Sequence, residues 1–134
     1  MVEYLYEASW ELGDELDAPR HARHLTADTL IAWGIDGFSD GAQLVVSELV
    51  TNALVHAQSC SRLMLRYNGE SLWIGVRDDG VGDAVPRHDP ELGGWGLRVV
   101  DSQSDDWGTD RHHDGGKTIW SEMSPPWMAT TSAG

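Results

Sequence analysis

The stretch Ser47-Glu48-Leu49-Val50-Thr51-Asn52-Ala53-Leu54-Val55-His56 carries two superimposed patterns. Leu44, Val45, Leu49, Ala53 and Leu54 make a broad apolar face at helical spacing. Glu48, Asn52 and His56 recur every four residues and form a polar stripe along one side of the same helix. The pattern predicts a helix that starts at Ser39 or Asp40, either of which can cap it, and continues to about Ala57. A carboxylate and a carboxamide one turn apart suit a Mg²⁺-nucleotide site, because an amide oxygen can fill one position of a hard cation while phosphates and water fill the others. A solvated helix face presents the same stripe, so the stripe alone does not decide.

Outward from this helix the periodicity changes. Upstream, Tyr4 to Leu12 reads as a strand, and Asp17-Ala18-Pro19 opens a helix that runs to Trp33 and ends at Gly34. Its inward positions are Ala22, Leu25, Leu30 and Trp33. Downstream, Arg62 to Tyr67 and Leu72 to Arg77 read as strands joined by a tight turn at Asn68-Gly69. Asp78 to Gly94 is rich in glycine, proline and charge, and reads as a loop or lid. A short helix from Gly94–Gly96 covers Leu97 to Asp101, and strands at Asp106 to Arg111 and Lys117 to Met123 follow, joined through His112 to Gly116. Trp33, Trp73 and Trp120 are expected on inward faces. The order β-α-α-β-β-loop-α-β-β predicts an α/β two-layer sandwich, with helices on one face of a mostly antiparallel mixed sheet. Residues 1–123 form one domain in this reading, and 124–134 a disordered tail.

Composition narrows the function classes. The 134 residues suffice for one core, and 40% of them are hydrophobic, as in ordinary globular chains. No apolar run approaches the roughly 18 residues that span a bilayer, and the N-terminus lacks a signal-peptide pattern, so no membrane role and a cytoplasmic location are expected. A net charge of −13 without a basic cluster argues against nucleic acid. It does not exclude a nucleotide, whose phosphates backbone N–H groups and Mg²⁺ can neutralise. Cys60 stands alone and reads as a small packed residue. His21, His24, His112 and His113 read as surface histidines rather than a zinc site.

Three further motifs carry chemistry. A carboxylate at the end of an apolar strand, as in Asp78-Asp79-Gly80-Val81-Gly82, needs a polar partner if buried, and an adenine amine is one such partner. Gly93-Gly94-Trp95-Gly96-Leu97 opens a helix, where free N–H groups can hold phosphate. Gly115-Gly116-Lys117-Thr118 imitates the end of a P-loop, but Arg111 stands where the first P-loop glycine belongs and a strand follows instead of a helix, which excludes that motif.

Taken in order, these four boxes resemble the nucleotide-binding domain shared by gyrase, the heat-shock chaperone ATPase, sensor histidine kinases and mismatch-repair ATPases. The likeness spans about Tyr6 to Met123. Val46-Ser47-Glu48-Leu49-Val50-Thr51-Asn52-Ala53, Gly93-Gly94-Trp95-Gly96-Leu97, Trp107-Gly108 and Gly116-Lys117-Thr118 are most similar to stand-alone, actinobacterial anti-sigma-factor serine kinases. The resemblance implies the histidine-kinase-like ATPase fold, ATP and Mg²⁺ as cofactors, and Glu48 as general base. It implies Asn52 as Mg²⁺ ligand, with His56 in the same box, and Asp78 as acceptor of the adenine amino proton. Gly80 and Gly82 would lie at the base, Gly94, Gly96 and Leu97 would offer phosphate-binding amides, and Thr118 would support the adenine or its water. The partners implied are an anti-anti-sigma-like antagonist protein and a sigma factor, with a homodimer left open. The alternative to a serine/threonine kinase is an ATP-dependent protein-binding adaptor with little or no turnover.

Overall fold

The computed structural model describes residues 3–13, 15–56, 61–79 and 96–127. In chain order the elements are β1 (Tyr6–Leu12), α1 (Ala18–Ala32), a short 3₁₀ turn (Asp36–Phe38), α2 (Ser39–His56), β2 (Ser61–Tyr67), β3 (Leu72–Asp78), α3 (Gly96–Gln103), β4 (Asp106–Arg111) and β5 (Lys117–Met123). The strands form one sheet in the order β1-β2-β3-β5-β4, and all four pairings are antiparallel.

Local chemistry explains where the elements stop. Pro19 sits in the first turn of α1, where its missing N–H costs nothing. Gly34 ends that helix with φ +74°, and the Ile35 N–H donates to Leu30 O while the Gly34 N–H donates to Ile31 O, a Schellman closure. Between β2 and β3 the connection is a four-residue loop, 68–71, since Tyr67 pairs with Leu72. The Asn68 side-chain oxygen holds it by accepting from the Glu70 and Ser71 N–H groups, both at 2.8 Å.

The core lies between the helices and one face of the sheet. Leu63 and Leu65 of β2, Leu72, Ile74 and Val76 of β3, and Ile119 and Met123 of β5 point to that face and are buried. From α2 come Ala42, Val45, Val46, Leu49, Val50 and Ala53, which follow the 3.6-residue period. Leu44 falls off this stripe and is 50% exposed, so its expected inward place is not realised. From α1 come Ala22, Thr26 and Leu30, with the Thr26 hydroxyl donating to Ala22 O, and from α3 Leu97 and Val100.

Among the described residues no helix covers the other face of the sheet, and this face corrects two expectations. Trp73 and Trp120 occupy strand positions one residue out of phase with the core, so they lie on this open face. The Trp73 ring folds over Gly75, where a Cβ would stand 2.3 Å from it, and the Arg66 guanidinium lies 4.7 Å above the ring. Trp33 is half-buried and stacks on Tyr6 with ring centroids 5.4 Å apart. Residues 124–127 are placed, with the Trp127 ring against Phe38. Among the described residues no helix is long and apolar enough to cross a membrane.

Candidate functional site

The strands of the central hairpins are about 20 Å long, so the sheet has two well-separated ends. At one end stand Leu72 and Met123, which are register partners, and at the other Asp78 and Lys117. Helix α2 begins over the first end, because a Cβ on Gly41 would lie 2.9 Å from both Met123 Cε and Gln103 Oε1. Its C-terminal half therefore runs toward the second end, where β2 starts at Ser61 beside Asp78. The same contact puts the last residue of α3 near Met123. Two features meet toward that second end: the half of α2 that carries Asn52, and the ends of β3 and β5.

Each feature has distinct chemistry. Asn52 is 4% exposed, and its Oδ1 accepts no hydrogen bond among the described residues. Most buried side-chain acceptors are satisfied, so an orphaned carboxamide oxygen points to something that binds there. It fits a hard cation, which takes neutral oxygen ligands. Among the described residues no group of three or more His, Cys, Asp or Glu side chains is placed to hold a metal, so such a cation would share Asn52 with oxygens of the ligand and water. Glu48, one turn earlier, is half-buried and lines a cleft of about 480 Å³ between α1 and α2, where Arg23 Nη1 donates to Ser47 Oγ at 3.0 Å. The first N–H groups of α3 have no carbonyl partner within the helix and favour anions.

Asp78 is only 2% exposed, as is Lys117, and Lys117 Nζ donates to Asp78 Oδ1 at 2.9 Å. Beside the pair the two backbones run close, and a Cβ on Gly116 would meet the Asp78 carbonyl oxygen at 2.8 Å. A small cavity of about 200 Å³ reaches Asp78 between Glu11, Ser61, Arg62, Arg77 and Asp79. A larger one, about 800 Å³, lies at the opposite end among Gly37, Ser71, Gln103 and Met123, away from the buried polar groups. We place the site at the Asp78 end of the sheet because the buried carboxylate and ammonium are there.

Of the residues expected from sequence, Asp78 stands at this end and Asn52 in the half of α2 that runs toward it, while Glu48 lines the α1–α2 cleft and Leu97 is buried in the core. The backbone of His56 closes α2, and its side chain lies outside the described residues, as do Gly80, Gly82 and Gly94 entirely. Gly96 is the first residue of α3. Thr118, expected beside the adenine, is on the other face of the sheet. It pairs with Arg77, its hydroxyl meets His112 Nε2 at 2.7 Å, and it lines an open-face cavity with Met64 and Trp73. One step along a strand reverses the face. The residue that faces Asp78 is Lys117, which sequence reasoning passed over. The alternation of Lys117, Ile119, Ser121 and Met123 was the available signal, since it puts Lys117 in phase with the core.

The neighbouring β4–β5 hairpin is tied to the same strand end. Asp114 Oδ1 accepts from the Gly116 N–H at 3.0 Å, and Asp114 also pairs with Arg77. The Gly116 N–H and the Arg77 charge hold the Asp114 carboxyl below the usual carboxylate range.

Comparison with known proteins agrees with this fold. The model of the family described as "Histidine kinase-like ATPase domain" matches residues 14–122. The crystal structure of the RsbU and RsbW domains of Rv1364c from Mycobacterium tuberculosis is similar, with a TM-score of 0.64 and 20% identity. The match covers 89% of this chain and 32% of that one, so this chain corresponds to about a third of the other, and at this identity the likeness establishes the fold. No curated protein matches in sequence. With the family pattern running through four-fifths of its length, on a sheet and three helices of the matching fold, the chain belongs to the histidine kinase-like ATPase domain family.

Proposed function

We propose that this chain binds Mg-ATP at the Asp78 end of its sheet and acts as a protein serine/threonine kinase of anti-sigma-factor type, with a small antagonist protein as substrate. The observation that carries the reading is the buried Asn52 Oδ1, which accepts no hydrogen bond among the described residues, in the half of α2 that runs toward a buried carboxylate. Asn52 would hold Mg²⁺, with His56 in the adjoining turn. When bound, the cation would neutralise part of the triphosphate charge.

The chain's own residues do the rest. Asp78 accepts a hydrogen bond from the adenine amine, and Gly80 and Gly82 let the backbone lie along the base. Gly94, Gly96 and Leu97 offer N–H groups to phosphate oxygens at the opening of α3. Glu48 takes the proton of a serine or threonine hydroxyl while that oxygen bonds to the γ-phosphorus. The bond from this phosphorus to the β-phosphate oxygen breaks, and ADP leaves. Catalysis of this kind rests mainly on positioning and charge neutralisation. Family membership supports ATP as the ligand. The fold shared with a chain that carries an RsbW domain agrees with the anti-sigma-type motifs around Glu48 and Gly96. In this reading the protein works in the cytoplasm, with an anti-anti-sigma-like protein as substrate and a sigma factor as a further partner.

The test is transfer of radiolabelled γ-phosphate to small proteins co-purified from the native host, run beside ATP binding. Glu48→Gln is expected to keep binding and lose roughly 10²- to 10³-fold in transfer rate, the lower half of the general-base range. No transfer by the unmodified chain, with tight ATP-dependent partner binding, would instead make it an ATP-dependent adaptor.

A further inference from the structure

The Asp78–Lys117 pair has no explanation in packing alone. Both side chains are 2% exposed, and the ammonium sits 2.9 Å from the carboxylate at the strand ends that form the site. A buried ion pair contributes little net stability, because desolvating two charges offsets their attraction. Apolar residues in phase with Ile119 and Val76 would serve the core as well. The charges therefore call for a role in recognition.

We propose that Lys117 reads the base: its ammonium donates a hydrogen bond to the N1 ring nitrogen of adenine while Asp78 accepts from the neighbouring amine. This inference rests on the Mg-ATP reading above and assigns a specificity residue within it. An ammonium carries three N–H donors directed to different sides, so an N–H to Asp78 and one to a ligand are compatible. On the Watson–Crick edge of adenine a donor amine and an acceptor nitrogen are adjacent. A carboxylate with an ammonium locked beside it presents an acceptor and a donor side by side, the complementary pair. Guanine has the reverse order on that edge, an acceptor oxygen beside a donor N–H, and meets the same pair out of register. Gly116 lets the chain entering β5 pass close to the end of β3, since a Cβ there would meet the Asp78 carbonyl oxygen at 2.8 Å. Thr118, on the opposite face with His112, takes no part in this reading.

The experiment compares Kd values of ATP and 1-deaza-ATP, in which N1 is replaced by C–H, for the unmodified protein and for Lys117→Met. A hydrogen bond to a charged donor corresponds to about ten- to a hundred-fold in affinity. The unmodified protein is expected to prefer ATP by that factor, and Lys117→Met to bind both nucleotides equally. Lys117→Gln keeps a neutral polar head against Asp78 and serves where Lys117→Met does not fold; it is expected to reduce the preference in the same direction. Equal affinity of the unmodified protein for the two nucleotides overturns the proposal, because N1 is then not read. A preference that persists undiminished in either folded variant also overturns it, because another group then reads N1. If the unmodified protein binds neither nucleotide, the Mg-ATP reading itself falls and takes the proposal with it.

Discussion

Asp78→Asn separates the structural part of the buried ion pair from its part in binding. Asparagine preserves the shape of the side chain but removes the charge opposite Lys117 Nζ, 2.9 Å away, where both residues are 2% exposed. Removing one partner of a buried pair costs about 3–5 kcal/mol, because the remaining charge is left in a poorly solvated site. That is a large share of the roughly 5–15 kcal/mol that holds a domain of this size folded. It lowers Tm by on the order of 15 °C. Lys117→Met should cost a similar amount for the mirror-image reason. The double variant removes both charges, so it should cost much less than the sum, with a coupling of roughly 2 kcal/mol or more. The assay is urea denaturation of the four proteins, read by fluorescence of the tryptophans, with ATP absent. Additive losses would refute the reasoning, since the two side chains would then not be sensing each other.

Three further outcomes follow from the same geometry. Asn52→Ala should lose most of the Mg²⁺-dependent gain in ATP affinity while keeping adenosine binding, measured by titration with and without Mg²⁺; an equal Mg²⁺ benefit in both proteins would remove Asn52 from the metal site. Gly75→Ala should destabilise by about 1–3 kcal/mol, as overpacking does, because its Cβ would stand 2.3 Å from the Trp73 ring. Combining it with Trp73→Ala should remove that cost, and persistence of the full loss would refute the contact. Asp114 has a lowered folded-state pKa, so its stabilising contribution is present above the unfolded-state value and is lost as pH falls through the folded one. Asp114→Asn should therefore flatten the acid limb of the Tm–pH profile, and parallel profiles would show that Asp114 adds nothing.

Local rules made most of the fold legible. The strands at Asp106–Arg111 and Lys117–Met123 lie where alternation and the His112–Gly116 turn put them, and α1 starts at its proline and stops at Gly34. Faces were harder than boundaries. Tryptophan content suggested core for Trp73 and Trp120, yet in a sheet with helices on one side only, large aromatics can cover glycines on the open face, as Trp73 does at Gly75 and Trp120 at Gly108. Lys117 was missed for the opposite reason, since charge argues for the surface and only a partner on another strand makes its burial possible. Asn52 was visible as part of a stripe, but its orphaned oxygen is a property of packing that no spacing reveals. Gly80, Gly82 and Gly94 belong to a stretch outside the described residues, and their part in the site rests on the sequence motifs.

The most direct measurement of the central claim is calorimetric titration of the purified chain with ATP, with and without Mg²⁺, alongside thermal unfolding of the same samples. A ligand selective for the folded state must raise Tm, by about 2.7 kcal/mol of stability at a hundredfold excess over Kd. The account predicts saturable, Mg²⁺-strengthened binding of ATP with a matching rise in Tm. A folded protein that gives no binding heat and no shift in Tm at millimolar Mg-ATP would contradict it.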